Sequence, residues 1–500
     1  MRTIDSLRVE AERLIRDQAL MGYENWVLGK PSNQDSLYRM HAGLFTRENL
    51  ALLRRAEQEE PDSVQKKRLH YFRRYLTLEF LGKETAPLTD NVNTVETEAR
   101  VSFDGRQIPY RQMAGLMANA ADQQQRAALN EAINPVLDTL NRSLARITEA
   151  HHRLAGELGY DSYNAMIEDL TGLSLDRMKS VAEQALAATD SMYSALLQEM
   201  LSKYLRLKPG EFYRYDAPRL FRSPRFDPFF PKGAILRTVK DAYRSFGIDM
   251  QAQKNLAIDA EELEAKNPRA VCYAINVPHD IRLSIKPSGG ADDYAALFHE
   301  MGHGQHYANT AEHAFEFKYL GEPTVTETYA FLSEYLLLNQ AWLREHSGMP
   351  VPVLKDFTRF QAFHRLFYVR RYSAKFLYEL RFHSGTASPE SLYADLLSRA
   401  VAYQRRASDE KRHLTDMDAH YYSAGYLRAW FLEALLNARL SHDFGANWFE
   451  HPAAGDLLRS LWSRGDRLNG DELAGLLGDG GITIEPWLAE IHEMLRLSAQ

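Results

Sequence analysis

His299 and His303 stand four residues apart with Glu300 directly after the first, a pattern suited to metal-assisted hydrolysis. On a helix this spacing sets both imidazoles on one face, one turn apart, as a two-histidine pincer for zinc. Glu300 lies about 100° round the axis, outside the pincer but within reach of a metal-bound water as general base. The competing reading is an amphipathic helix with two hydrogen-bonded, half-buried histidines.

A catalytic zinc takes three protein ligands and leaves one position open, so a third donor is required. His306 shares the helical face, but the run from 299 to 306 spans about 10 Å of axis, too long for a single ion. Glu322, Glu327 and Glu334 lie in the following stretch. Glu322 immediately precedes Pro323, where a helix is expected to begin. Glu327 falls one turn inside that helix and is the preferred ligand. Glu334 follows at i+7 on the same face, placed to orient a ligand from behind. Asp293 is a candidate either to receive the second N–H of a ligating histidine or to cap the helix start. Gly302 and Gly304 each cost about 0.5 to 1 kcal/mol against alanine inside a helix, which predicts a close neighbour such as the backbone carrying Glu327.

These residues need a scaffold, and the 500-residue chain predicts a mainly helical one. Helical periodicity runs through 6–28, 47–59, 63–81, 123–158, 161–170 and 174–207, and returns at 234–246, from 292 onward, and through 324–347, 353–385, 389–404 and 421–441. Five prolines between 208 and 233 predict that helix stops there, leaving a connection whose Tyr213, Tyr215, Asp216 and Arg222 are candidates to face a substrate. The expected organisation is a single peptidase unit over 1–500: a mainly helical N-terminal lobe at 1–207, the proline- and aromatic-rich connection at 208–233, and a zinc-bearing region with C-terminal helices at 234–500. Residues 270–277 and 281–286 predict a β-hairpin just before the zinc helix. Its exposed edge, including Tyr273 and Ala274, would hold an extended peptide by main-chain hydrogen bonds.

Composition narrows the partners. Hydrophobic residues at 45% and charged residues at 25% are ordinary for a globular enzyme, and a net charge of −7 builds no field to gather nucleic acid or anionic lipid. The single cysteine, Cys272, excludes an intramolecular disulfide and a cysteine-rich metal cluster. No apolar run approaches the roughly 18 residues of a membrane span, and residues 1–20 lack the apolar stretch of a secretory signal, so a cytoplasmic protein is expected.

The run Asp293-Tyr-Ala-Ala-Leu-Phe-His-Glu-Met-Gly-His303, followed by Glu327-Thr-Tyr-Ala-Phe-Leu-Ser-Glu334, resembles the zinc core of the thimet oligopeptidase and oligoendopeptidase F family. The Glu327 spacing and the Val271-Cys272-Tyr273-Ala274 strand also resemble the related angiotensin-converting enzyme family. The resemblance implies a two-lobed helical fold with a deep channel and one zinc ion held by His299, His303 and Glu327. It implies Glu300 as catalytic carboxylate and short peptides as substrates. Tyr422-Ser-Ala-Gly-Tyr426-Leu-Arg428 resembles the family's tyrosine-rich helix, which implies Tyr422 and Tyr426 as oxyanion donors. The family's third tyrosine position holds Ala429 and its histidine position holds Met417, leaving His420 or His413 as substitutes. Alternatives are a carboxypeptidase or dipeptidyl carboxypeptidase using Lys286, Arg371 or Arg428 to grip a peptide C-terminus, and a non-catalytic peptide-binding protein.

Overall fold

A computed structural model describes residues 3–500 and is mainly helical with five short strands. The chain divides into two compact units. The first comprises the residues up to Phe80, Arg225–Arg359 and Arg428–Gln500; the second comprises Leu81–Pro224 and Phe360–Leu427. Residues up to Phe80 thus group with the segment carrying the histidines, not with the remainder of 1–207. Among the described residues no helix is long and apolar enough to cross a membrane.

In the first unit the helix Ala291–Ala308 packs against the helix Pro323–Glu334. Gly302 explains how they approach: a Cβ there would run into Tyr329 O and lie 2.5 Å from Ala330 Cα. Gly304 faces a different neighbour, the Leu283 and Leu256 side chains of the sheet, at 2.8 and 3.1 Å. That sheet has the order β3-β5-β4, with β3 at Leu256–Asp259, β4 at Val271–Asn276 and β5 at Asp280–Ser284. β4 and β5 form the expected antiparallel hairpin. β3, which was not foreseen, pairs parallel to β5 and leaves β4 as an edge. At four residues it offers too short an alternation to read.

The segment joining the two site helices is pinned by charge. Glu316, fully buried, takes Arg8 Nε at 2.6 Å and Arg68 Nε at 2.9 Å. Lys318 reaches Glu12 at 2.6 Å, Arg74 donates to the Leu320 and Gly321 carbonyls, and Gly321 N–H donates to Asp466 at 3.1 Å. Buried charge needs partners of this kind. The N-terminal helices therefore fix the path that leads to Glu327.

In the second unit Val101, Met113, Met117, Leu129, Val136, Leu137 and Leu140 build an apolar cluster. The hairpin β1 (Arg100–Phe103) and β2 (Arg106–Pro109) adds Val101 to it, turning at Asp104-Gly105. The helix expected at 63–81 continues to Glu98 through Pro87. The single helix expected over 123–158 breaks at Ile133, with Pro135 in the first turn of the next helix, where its missing N–H costs nothing. The 208–233 stretch is not free of helix: 3₁₀ turns flank Ala217–Arg222, which also has a proline, Pro218, in its first turn. Tyr215 and Asp216 are buried there, and Asp216 pairs with buried Arg126 at 2.8 Å, a structural use in place of a substrate-facing one.

Candidate metal centre

The helix Ala291–Ala308 opens with Asp292 and Asp293, whose negative charge suits the positive end of the helix dipole. Asp293 Oδ2 accepts the main-chain N–H groups of Ser288 and Gly289, the latter at 2.7 Å. It therefore ties down the turn that leads into the helix rather than capping the helix's own first N–H groups, and the second N–H of each histidine goes to another partner.

Glu334 holds the first histidine: its Oε2 lies 3.0 Å from His299 Nδ1, while His299 Nε2 lies 3.3 Å from Glu327 Oε2. His303 repeats the pattern with a different partner. Its Nδ1 lies 2.8 Å from Thr326 Oγ1, and its Nε2 lies 3.8 Å from Glu327 Oε2. Both imidazoles therefore turn Nε2 toward Glu327 and have Nδ1 held from behind. One donor atom from each of His299, His303 and Glu327 falls within 4.8 Å of the others. Glu327 is only 3% exposed, so its carboxylate has little water to solvate it.

Electrostatics follow from this crowding. Burial by itself lowers His299, but the hydrogen bonds to Glu327 and Glu334 outweigh it and hold the imidazole well above its ordinary value. Burial brings His303 down to about 4, leaving it neutral. Burial pushes Glu300 up to about 7; Glu327 adds to the rise, while His299, the Cys272 N–H and Arg269 oppose it. Two imidazole nitrogens and one carboxylate oxygen form a donor set that suits zinc, so the residues fit the ion.

Glu300 is fixed by the sheet. Cys272 N–H donates to its Oε2 at 2.8 Å, so the edge strand β4 touches the carboxylate directly. Burial, with Glu300 nearby, pushes the Cys272 thiol well above its ordinary value. Tyr273 turns its ring to Tyr23, edge to face at 5.9 Å, and Ala274 pairs with Ile281.

Other candidates have different work. Glu322 accepts from Arg428 Nε at 3.1 Å, Gly470 N at 2.9 Å and Thr324 Oγ1 at 2.8 Å, and Arg428 also reaches Asp471 at 3.2 Å. Arg428 is thus consumed by an internal ion pair and is not a substrate-binding group. His306 is fully buried against Tyr307 and Tyr329. Tyr422, Tyr426 and His420 belong to the second unit. Tyr422 and Tyr426 lie 5.0 Å apart by ring centroid, and Tyr426 meets Tyr372 at 5.4 Å. His420 has a left-handed backbone, φ 54°, and its Nδ1 lies 2.8 Å from Tyr163 OH, within a group that includes His151, His152 and His383.

Sequence reasoning did not find Thr326 or the Cys272 main-chain N–H. A threonine one residue before the third donor carries no type signal. A main-chain donor has none by nature.

No protein-family model matches the chain, and no curated protein matches it.

Proposed function

We propose that the protein is a zinc-dependent peptidase acting on peptide bonds in short peptides. The observation that carries this reading is the convergence of His299, His303 and Glu327 with Glu300 alongside, on one pair of helices. When bound, zinc supplies a Lewis acid and makes water acidic enough to lose a proton near neutral pH. Glu300, held at 2.8 Å by the Cys272 N–H, takes that proton and later delivers it to the leaving amine. Glu334 and Thr326 keep both imidazoles in the orientation that presents Nε2.

Substrate holding is supported by β4. Cys272 directs its N–H away from β5, and strand alternation gives Ala274 the same direction. A peptide laid on this edge gains main-chain hydrogen bonds with little dependence on its side chains.

The exopeptidase alternative loses the cations first considered for it. Lys286 donates to Leu263 O at 2.8 Å, Arg371 is paired with Asp416, and Arg428 with Glu322 and Asp471. A non-catalytic binder would have no need for a carboxylate at Glu300. The test is a mixed peptide library incubated with the protein and with Glu300→Gln, zinc content being measured on both. Cleavage by the parent alone, with zinc in both, is the expected result; stoichiometric zinc in both and cleavage by neither overturns it.

A further inference from the structure

Three residues before Cys272, Arg269 sits on a main chain held at both ends. Its N–H donates to Asn267 Oδ1 at 3.0 Å, and its carbonyl accepts Trp26 Nε1 at 3.0 Å. Asn267 N–H is in turn bonded to Trp26 O at 2.8 Å. The loop behind is tied by buried Lys266, whose Nζ donates to Asp259 O, Asp259 Oδ1 and Glu261 O at 2.8 to 3.0 Å. The backbone of Arg269 is thus well anchored, yet the residue is exposed. Among the described residues no carboxylate lies within ion-pair distance of its guanidinium, although the charge is felt at Glu300. Lys286, Arg371 and Arg428 all have partners; Arg269 does not.

The strand geometry says what such a cation would meet. Antiparallel pairing is the more stable choice for a peptide added to the free edge of β4. In that orientation the peptide's C-terminal direction runs from Cys272 toward the start of β4 at Val271, and Arg269 lies in the bend two residues before it, at most about 10 Å along the chain from Cys272. The bond under attack lies beside Glu300, which Cys272 touches. Arg269 therefore falls alongside the residues two or three places beyond the scissile bond on the leaving side. A guanidinium recognises a carboxylate there by paired hydrogen bonds.

We propose that Arg269 is a specificity-determining residue that binds a carboxylate two or three residues C-terminal to the scissile bond, whether the peptide's own C-terminus or an Asp or Glu side chain. This rests on the peptidase reading for its register, but its binding can be measured without catalysis. Three peptides of one sequence serve as probes: one with a free C-terminal carboxylate two residues beyond the cleaved bond, one amidated there, and one amidated with Asp at that position. Binding is measured on zinc-loaded Glu300→Gln protein, with and without Arg269→Gln or Arg269→Lys, and cleavage on the parent and on the two Arg269 variants.

The expected result is binding about three- to tenfold tighter for a carboxylate-bearing peptide than for the amide, lost in Arg269→Gln and reduced but not lost in Arg269→Lys, which keeps the charge without the paired hydrogen bonds. In cleavage the same preference should enter through KM with kcat nearly unchanged. The free-terminus and Asp arms tell the two carboxylate sources apart. Equal binding of all three peptides by the parent site, a preference that survives Arg269→Gln, or an equal loss for all three in that variant overturns the assignment. Carboxylate-dependent binding without cleavage by the parent would instead sink the peptidase reading and leave Arg269 as a ligand-binding residue.

Discussion

Thr326 places its hydroxyl 2.8 Å from Nδ1 of His303, one residue before the carboxylate that His303 Nε2 faces. The same short helix therefore supplies both a donor of the proposed metal site and the group that orients another donor. His299 receives a carboxylate, Glu334, in the equivalent place. Replacing Thr326 by valine keeps the shape and deletes the oxygen, so zinc affinity should fall about 10-fold or more, while Thr326→Ser retains it. Competition with a chromogenic chelator measures this without reference to activity. Unchanged affinity in Thr326→Val would show that the hydroxyl does not orient the ligand.

Gly302→Ala and Gly304→Ala should differ although the glycines are two residues apart. At 302 the new methyl meets main chain of the Glu327 helix, which cannot swing aside, so a loss of about 2 to 4 kcal/mol and impaired zinc uptake are expected. At 304 it meets ends of the Leu283 and Leu256 side chains, which have other rotamers, and about 1 kcal/mol with zinc retained is expected. Urea unfolding and zinc stoichiometry check both. Equal effects would mean that the close helix approach is not specific to Gly302.

How far the sequence reached follows from which interactions are local. His299, Glu300 and His303 are related by one helical turn, and Glu327 and Glu334 by two turns of the next helix, whose start Pro323 marked, so local spacing put them forward as candidates. The long helices and the β4–β5 hairpin were legible for the same reason. Asp293 was legible only in part, since an acidic residue six places before a histidine serves a helix start or an imidazole equally well. Arg428 was misread because its partners, Glu322 and Asp471, lie far away in sequence. Two prolines mark where the helices differ from the expected bounds: Pro87 sits inside a helix that continues past 81, and Pro135 lies in the first turn of a new helix within 123–158. The Asp104-Gly105 turn was a readable hairpin signal, flanked by strands too short to show alternation.

Glu322 and Glu327 should separate cleanly on mutation. Glu327→Ala removes a converging donor, and stoichiometric zinc should be lost. Glu322→Ala leaves the donors intact but strips buried Arg428 of one carboxylate and Gly470 N–H of its acceptor, so zinc stays and stability falls by about 1 to 3 kcal/mol. Metal analysis after dialysis, paired with denaturant unfolding, reads the two effects independently. Zinc loss in Glu322→Ala with retention in Glu327→Ala would reverse the ligand assignment.

Asp416 gives the sharpest pH dependence. Burial alone would raise its carboxyl, but Arg371, Lys375 and Arg214 outweigh burial and hold it far below the ordinary carboxylate range. Arg371 and Tyr393 both donate to it. A folded pKa below the unfolded value means that the unfolded chain binds the proton more readily. The contribution is therefore complete above the unfolded value of about 4 and declines as pH falls below it. Asp416→Asn leaves the surrounding cations uncompensated and should cost about 3 to 5 kcal/mol at pH 7. The gap between parent and variant should hold from pH 7 to pH 5 and shrink below pH 4, because only the parent's unfolded chain gains a proton at position 416 there. Urea unfolding at pH 7, 5 and 3.5 tests the sign; a gap that widens on acidification would mean that Asp416 is not the carboxylate compensating these cations.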